Sequence, residues 1–400
     1  MTEILKSLAP AYGGYSIARD GKVVFIRGAI PGEVVEVDII EKKRDYCVAS
    51  VVNVLEPSEY RVAPKCPVFG ICGGCQLQFM SYDRQLTLKG EILLDSLSRL
   101  GGIETEPGTA FFDAQWNYRR RAQFKVSRRG EVGFFRESTR EVVDFNECPL
   151  LVGEINDVLP KIKDMVPMEN LREIHVSSGD SLAALLRGEE YDAGACAKAM
   201  ETGLSGVVFN DVQAAGQAYV TLYISGMKYS VSPWTFFQAH WTLNRKIVDF
   251  IVSSLQPAEG KRILDLYAGA GNFSLPLAAC AEEVTAVEEN RHAVDDAARN
   301  MQINSVRNCR IVRSSAEKFK LTGKFDVVIL DPPRPGLTSE VARKVLAHAA
   351  PRIVYVSCNP STLARDLKKM KDKYEVEAVH QIDFFPNTFH IEAAAFLRIR

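Results

Sequence analysis

From residue 262 onward, short apolar runs alternate with helical stretches: "RILDLY", "EVTAVE", "CRIV", "FDVVILD" and "RIVYVSC", then "EVEAVHQIDFF" and "HIEAAAFLRI". Runs this short, bounded by turn residues and separated by helical segments, read as strands buried on both faces. Their alternation with helices implies a doubly wound parallel sheet. Such sheets bind ligands at the carboxyl ends of their strands, so the fold also says where to look for a site. "VSPWTFFQAHWTLNRKIVDFIVSSL" reads as an entry loop and an amphipathic helix, which places this α/β unit at residues 231–400.

The chain before it has a different texture. Residues 1–60 alternate β-rich runs ("KVVFIRG", "EVVEVDIIEKK", "YCVASVVNVLE") with Gly and Pro turns, the pattern of a small closed barrel of the OB type. "PSEYRVAPKCP" reads as a linker. A helix is expected over 81–100, with Leu86, Leu93, Leu94, Leu97 and Leu100 sharing a face, and strand-like runs resume from 116 to 230. Residues 61–230 therefore read as a central β-rich domain. Four hundred residues at 46% hydrophobic content can bury several cores. No apolar stretch approaches the roughly 18–20 residues of a membrane span, and "MTEILKSLAP" lacks the features of a signal peptide. The expectation is a cytoplasmic protein without a membrane partner.

A formal net charge of −1 gives no overall attraction to nucleic acid. Local charge differs: residues 117–140, "NYRRRAQFKVSRRGEVGFFRESTR", carry eight basic side chains against Glu131 and Glu137, interleaved with Tyr118, Phe124, Phe134 and Phe135. Arginines on phosphates and rings under bases would make a single-stranded RNA surface; a solvated hairpin with its rings in a core fits equally well.

"DLYAGAGNFSLPLA" follows the first strand of the α/β unit and opens a helix, and Gly269 and Gly271 permit close approach of a ligand to the backbone. Glu288 ends the second strand, where an acid can accept hydrogen bonds from ribose hydroxyls. NAD and S-adenosylmethionine both satisfy these features. "DPPRPGL" after the fourth strand separates them, because a rigid acid-proline floor at Asp331 suits a methyl acceptor and serves no hydride transfer. Cys358 ends the fifth strand ahead of "NPSTLARDL", where a helix dipole would favour thiolate. A thiolate there can add to carbon 6 of a uracil and make carbon 5 nucleophilic. Glu392, isolated in an apolar strand, is the candidate base that removes the carbon 5 proton, provided its strand inserts beside that of Cys358. His390 reads as a satisfied, partly buried residue, with orientation of Glu392 or RNA contact as the sharper alternatives.

Of nine cysteines, Cys66, Cys72 and Cys75 crowd into "CPVFGICGGC" and "DFNECPL" adds Cys148. Four thiolates suit tetrahedral zinc or a 4Fe-4S cluster, and spacing does not choose. The remaining Cys47, Cys196, Cys280 and Cys309 read as small buried residues.

Together "CPVFGICGGCQLQ", "DLYAGAGNFSLPLA", "DPPRPGL", "VYVSCNPSTLARDL" and "FPNTFHIE" resemble the motif set of the iron-sulfur-containing RNA 5-methyluridine methyltransferases. The likeness runs from the amino-terminal barrel, similar to a TRAM domain, to the last strand. It implies a Rossmann-like catalytic domain with a seven-stranded mixed sheet, Cys358 as nucleophile and Glu392 as general base. It implies S-adenosylmethionine contacts from Gln238, Tyr267, Asn272, Glu288 and Asp331. It also implies a 4Fe-4S cluster on Cys66, Cys72, Cys75 and Cys148 that ties the 81–100 helix to the central domain. The expected partner is structured RNA, ribosomal in preference to transfer RNA, bound by a monomer. The competing classes are a non-catalytic RNA-binding protein on a decayed methyltransferase fold and a zinc-bearing methyltransferase acting on an amino group.

Overall fold

The structure, a computed structural model, describes residues 2–400. Its carboxy-terminal sheet has seven strands: β1 (Arg262–Leu266), β2 (Glu283–Glu288), β3 (Cys309–Arg313), β4 (Val327–Leu330), β5 (Arg352–Ser357), β6 (Tyr374–Ile382) and β7 (Glu392–Ile399). They lie in the order β3-β2-β1-β4-β5-β7-β6. The first five are parallel. The sheet is not parallel throughout, as strand–helix alternation alone implied, because β7 runs antiparallel to both β5 and β6. The chain between β6 and β7 contains no helix, and a short connection can only return antiparallel.

Alternate residues of these strands face two separate cores. Leu264, Leu266, Val328, Leu330, Ile353 and Tyr355 enter one, with helices Ser339–His348 and Pro360–Met370. Ile263, Val327, Ile329, Val354 and Val356 enter the other, under helix Trp241–Ser254.

Both cores also take in chain expected to lie in the central domain. The helix Tyr82–Ser96, continued by a wider turn through Gly101, buries Leu88, Ile92, Leu93 and Leu97 in the first core. Its buried face is therefore not the leucine stripe read from sequence: Leu100 is exposed, while Gln85 and Lys89 are buried. The hairpin Val220–Ile224/Met227–Val231 packs into the second core. Spatially, the boundary expected at 230 falls inside the catalytic core.

The central sheet contains seven strands with Arg121–Val126 near its middle. Tyr118 and Phe124 are buried, and Phe124 stacks on Phe134 with ring centres 5.4 Å apart. Tyr118 and Phe124 are therefore core residues and Phe134 packs against the same core, whereas Phe135 is half-buried and Arg128, Arg129, Arg136 and Arg140 are exposed. Among the single cysteines only Cys196 is buried, and Cys47, Cys280 and Cys309 are half-buried.

The amino-terminal sheet has six strands. Residues 3–6 pair with Val34–Lys42 and residues 9–11 with Tyr15–Asp20, so one bent segment joins both edges and closes the sheet on itself. Among the described residues no helix is long and apolar enough to cross a membrane.

Candidate active site

A cleft of about 700 Å³ opens where β1 and β4 lie side by side and the strand order reverses. That volume holds a nucleoside-sized cofactor together with an acceptor base. Gln238, Tyr267, Asn272, Glu288, Asp331, Cys358 and Glu392 all line it.

Its floor begins at the end of β1. Tyr267 adopts a left-handed conformation with φ of 67°, and the amides of Tyr267 and Ala268 both donate to the Val287 carbonyl, at 3.0 and 3.1 Å. At Gly271, φ is 91° and a Cβ would lie 2.1 Å from Leu275 Cδ1, so only glycine fits this turn. The Gly269 amide donates to Glu288 Oε2 at 2.9 Å and the Asn290 amide to Oε1 at 2.8 Å. Each oxygen keeps a further lone pair for a ribose hydroxyl. Asn272 exchanges amide hydrogen bonds with Asn244 at 2.7 and 3.2 Å, which fixes the loop against helix Trp241–Ser254. Gln238 Oε1 is buried without a hydrogen-bond partner, an acceptor available to a ligand in the cleft.

The floor is acidic. Burial pushes Asp331 up to about 7, with Asp265 and Glu288 adding to the shift. Burial likewise raises Asp265 to about 7, against a 2.5 Å hydrogen bond donated by Ser274 Oγ. Glu288 and Asp331 line the cleft with Asp265 buried beneath, and this acidic floor favours a cationic ligand, as a sulfonium is. These residues fit S-adenosylmethionine.

On the opposite wall, β7 does insert beside β5. Ser357 pairs with Ala393, and extending this antiparallel register by one residue sets Cys358 across from Glu392. Opposite residues on such strands project to the same face. Asn359 caps helix Pro360–Met370, its Oδ1 accepting from the amides of Ser361 and Thr362 at 3.0 and 3.4 Å. The helix terminus does not leave the resting group as thiolate. Burial pushes the Cys358 thiol up to about 11, assisted by Glu392 and Asp331 and only partly opposed by Arg334. Glu392, 5% exposed, is held well above the usual carboxylate range by burial and then by Asp331. His390 accepts from Arg334 Nη2 at 3.1 Å and packs on Phe389. Burial and the Arg334 charge push it down to about 4, so it stands as a neutral acceptor to Arg334.

A family model described as tRNA (Uracil-5-)-methyltransferase matches residues 216–324 and 320–400. The 23S rRNA (uracil(1939)-C(5))-methyltransferase RlmD of Vibrio parahaemolyticus is 32% identical, over 94% of this chain and 90% of its own. An uncharacterized RNA methyltransferase of Aquifex aeolicus is 35% identical over 97% of this chain and 96% of its own. The chain belongs to the RNA uracil-C5-methyltransferase family. The crystal structure of Pyrococcus abyssi tRNA (uracil-54, C5)-methyltransferase in complex with S-adenosyl-L-homocysteine superposes with a TM-score of 0.79. It is 25% identical and covers 99% of this chain and all of the other. This protein is accordingly an S-adenosylmethionine-dependent RNA methyltransferase.

In this methyltransferase Cys66, Cys72, Cys75 and Cys148 line one small cavity with Phe69, Arg119, Phe134 and Phe145. Burial raises the thiols of Cys72, Cys75 and Cys148, Cys75 up to about 12 and Cys148 up to about 11. Among the described residues no three His, Cys, Asp or Glu side chains are grouped to hold a single metal ion. The cysteine loop meets the central sheet, with the Gly73 amide donating to Phe135 O at 2.9 Å, while the 82–96 helix packs on the catalytic sheet instead.

Sequence reading missed several wall residues. Ser314, Ser315 and Glu317, after β3, line the cleft without any motif to mark them. Arg334 stood inside "DPPRPGL", where its charge between prolines was the available signal.

Proposed function

We propose that this methyltransferase modifies carbon 5 of one uridine in 23S ribosomal RNA, with Cys358 as nucleophile and Glu392 as base. The observation that carries this is the placement of Cys358 across from Glu392 in the wall of an acidic, nucleoside-sized cleft. With the target base flipped into that cleft, Cys358 gives up its proton to solvent and its sulfur bonds carbon 6, moving the ring electrons onto the carbon 4 oxygen as an enolate. S-adenosylmethionine supplies the methyl group that carbon 5 takes up. Glu392, as carboxylate, removes the carbon 5 proton, the ring double bond re-forms, and the carbon–sulfur bond breaks to return the thiolate. Gln238, Tyr267, Asn272, Glu288 and Asp331 hold the cofactor.

The closed amino-terminal sheet is read as an OB-type TRAM barrel that grips RNA together with the basic segment from Arg119 to Arg140 of the central domain, where Arg128, Arg129, Arg136 and Arg140 are exposed. Ribosomal RNA is favoured by the RlmD relative, which is 32% identical against 25% for the transfer RNA enzyme. Cys66, Cys72, Cys75 and Cys148 would hold a 4Fe-4S cluster as a structural element. Four soft donors lining one cavity suit such a cluster, and the resemblance of the cysteine motif favours it over zinc. Anaerobically purified protein should contain iron and sulfide; stoichiometric zinc without iron overturns that part.

The decisive test uses RNA carrying 5-fluorouridine with S-adenosylmethionine. Fluorine cannot leave as a proton, so a denaturation-resistant adduct should accumulate with wild type and be absent with Cys358→Ala. Adduct formation by Cys358→Ala, or none by wild type, rejects the mechanism. Mapping 5-methyluridine in ribosomal and transfer RNA from a deletion strain distinguishes the substrates.

A further inference from the structure

The nine residues between β6 and β7 deliver Glu392 to the cleft, and they are held from outside the catalytic sheet. Lys89, on helix Tyr82–Ser96, lies 2.6 Å from Asp383 Oδ1 with side-chain exposures of 1% and 0%, and donates also to the Phe385 carbonyl at 3.0 Å. Four residues from Lys89, Gln85 accepts the Asn387 amide at 2.9 Å. The Asn387 carbonyl in turn accepts from the amides of Gln76 and Leu77, both at 3.0 Å. Asn387 sits at φ of 68°, in the left-handed region that asparagine tolerates better than most residues.

A buried lysine–aspartate pair is poor value as a source of stability, because desolvation cancels most of its attraction. Its position is more informative. Ile382 is the β6 partner of Glu392, and Asp383 is the next residue. Asp383 Oδ2 is buried without a hydrogen-bond partner, and the Tyr82 hydroxyl lies beside this carboxylate without reaching hydrogen-bond geometry.

We propose that Lys89 and Asp383 form a positioning pair that fixes the loop carrying Glu392 and sets the electrostatic field in which Glu392 takes the carbon 5 proton. The proposal rests on the assignment of Glu392 as base. The charged and titratable groups facing Glu392 are Asp331 and Arg334 after β4, Cys358 after β5, Asp383 after β6, Lys89 on its helix and Tyr12 from the amino-terminal domain. Within this set Asp383 disfavours and Lys89 favours the carboxylate form of Glu392. Removing either should therefore move the base in opposite directions.

The experiment follows proton abstraction with purified full-length enzyme, S-adenosylmethionine and a uridine-containing RNA. Resolution of the covalent adduct is measured against pH. Lys89→Met should shift the profile to higher pH and accumulate adduct on ordinary uridine, as Glu392→Gln would. Asp383→Asn, which keeps the side-chain shape, should shift the profile to lower pH, and Lys89→Arg should stay near wild type. Adduct formation with 5-fluorouridine RNA should persist in all three. Profiles that do not move, or that move the same way in Lys89→Met and Asp383→Asn, overturn the proposal. If Lys89→Met does not fold, the direction of shift in Asp383→Asn decides alone. If wild type forms no Cys358 adduct with 5-fluorouridine RNA, the mechanism itself fails and the pair's role falls with it; failure of the pair alone leaves that adduct intact.

Discussion

Cys358, just past the end of β5, lies across from Glu392 at the start of the antiparallel β7, and the carboxylate adds to the burial that makes the thiol harder to ionise. In the free enzyme the thiol is therefore a protonated, slow nucleophile. Alkylation of Cys358 by iodoacetamide should be slow at pH 7 and rise about tenfold per pH unit towards its value near 11. Glu392→Gln removes the like charge and should speed alkylation several-fold at pH 9, read by mass spectrometry of the labelled peptide. A pH-independent rate would show that the resting group is already thiolate.

Glu288 ties the glycine loop to the end of β2 while keeping acceptor capacity for a ribose. Glu288→Ala should raise the dissociation constant for S-adenosylmethionine about 10- to 100-fold, since a charged hydrogen-bond acceptor and a loop tether go together. Glu288→Gln should be nearly as damaging, because one end of its amide would present a donor to a backbone N–H. Calorimetric titration of the RNA-free enzyme measures both.

Asp331 lies near half-protonation at neutral pH because burial and neighbouring carboxyls raise it to about 7. A cationic ligand favours the carboxylate form, so its pKa falls and a proton leaves on binding. Titrations in buffers of different ionisation enthalpy should show release of roughly half a proton at pH 7, vanishing by pH 9 where the group is already ionised. Proton uptake on binding would contradict this account of the cleft floor.

Arg61 anchors the amino-terminal sheet through a buried carboxylate. Its Nε and Nη2 each donate to Glu33 at 2.6 Å, and the amides of Ile30 and Ser58 donate to the same group. Burial works to raise Glu33, yet these donors hold it below the usual carboxylate range. The stability it contributes is present above the unfolded value and is lost as pH falls through the lower folded one. Arg61→Met should cost about 3 kcal/mol and release the amino-terminal sheet to protease first, since a buried carboxylate is left unpaired. The loss should shrink in acid, checked by thermal unfolding at pH 7 and pH 4.

Much of the catalytic half was legible along the chain. Strand–helix alternation, Gly269 and Gly271, Glu288 at a strand end and Cys358 before a helix start are local patterns, and local sterics and hydrogen bonding produce them directly. Composition and periodicity likewise marked residues 1–60 as strand-rich turns. What required tertiary structure were relationships between distant residues. Whether β7 enters antiparallel between β5 and β6, and so brings Glu392 opposite Cys358, depends on sheet pairing rather than on either segment. The thiol's high pKa follows from burial and from carboxyls contributed by other strands, neither of which is written beside residue 358. Lys89 and Asp383 are 294 residues apart, and no periodicity connects them. Residue type and spacing determined which chemistry the chain could perform; long-range packing decided which groups meet in a low-dielectric cleft, where charge interactions are strong enough to control it.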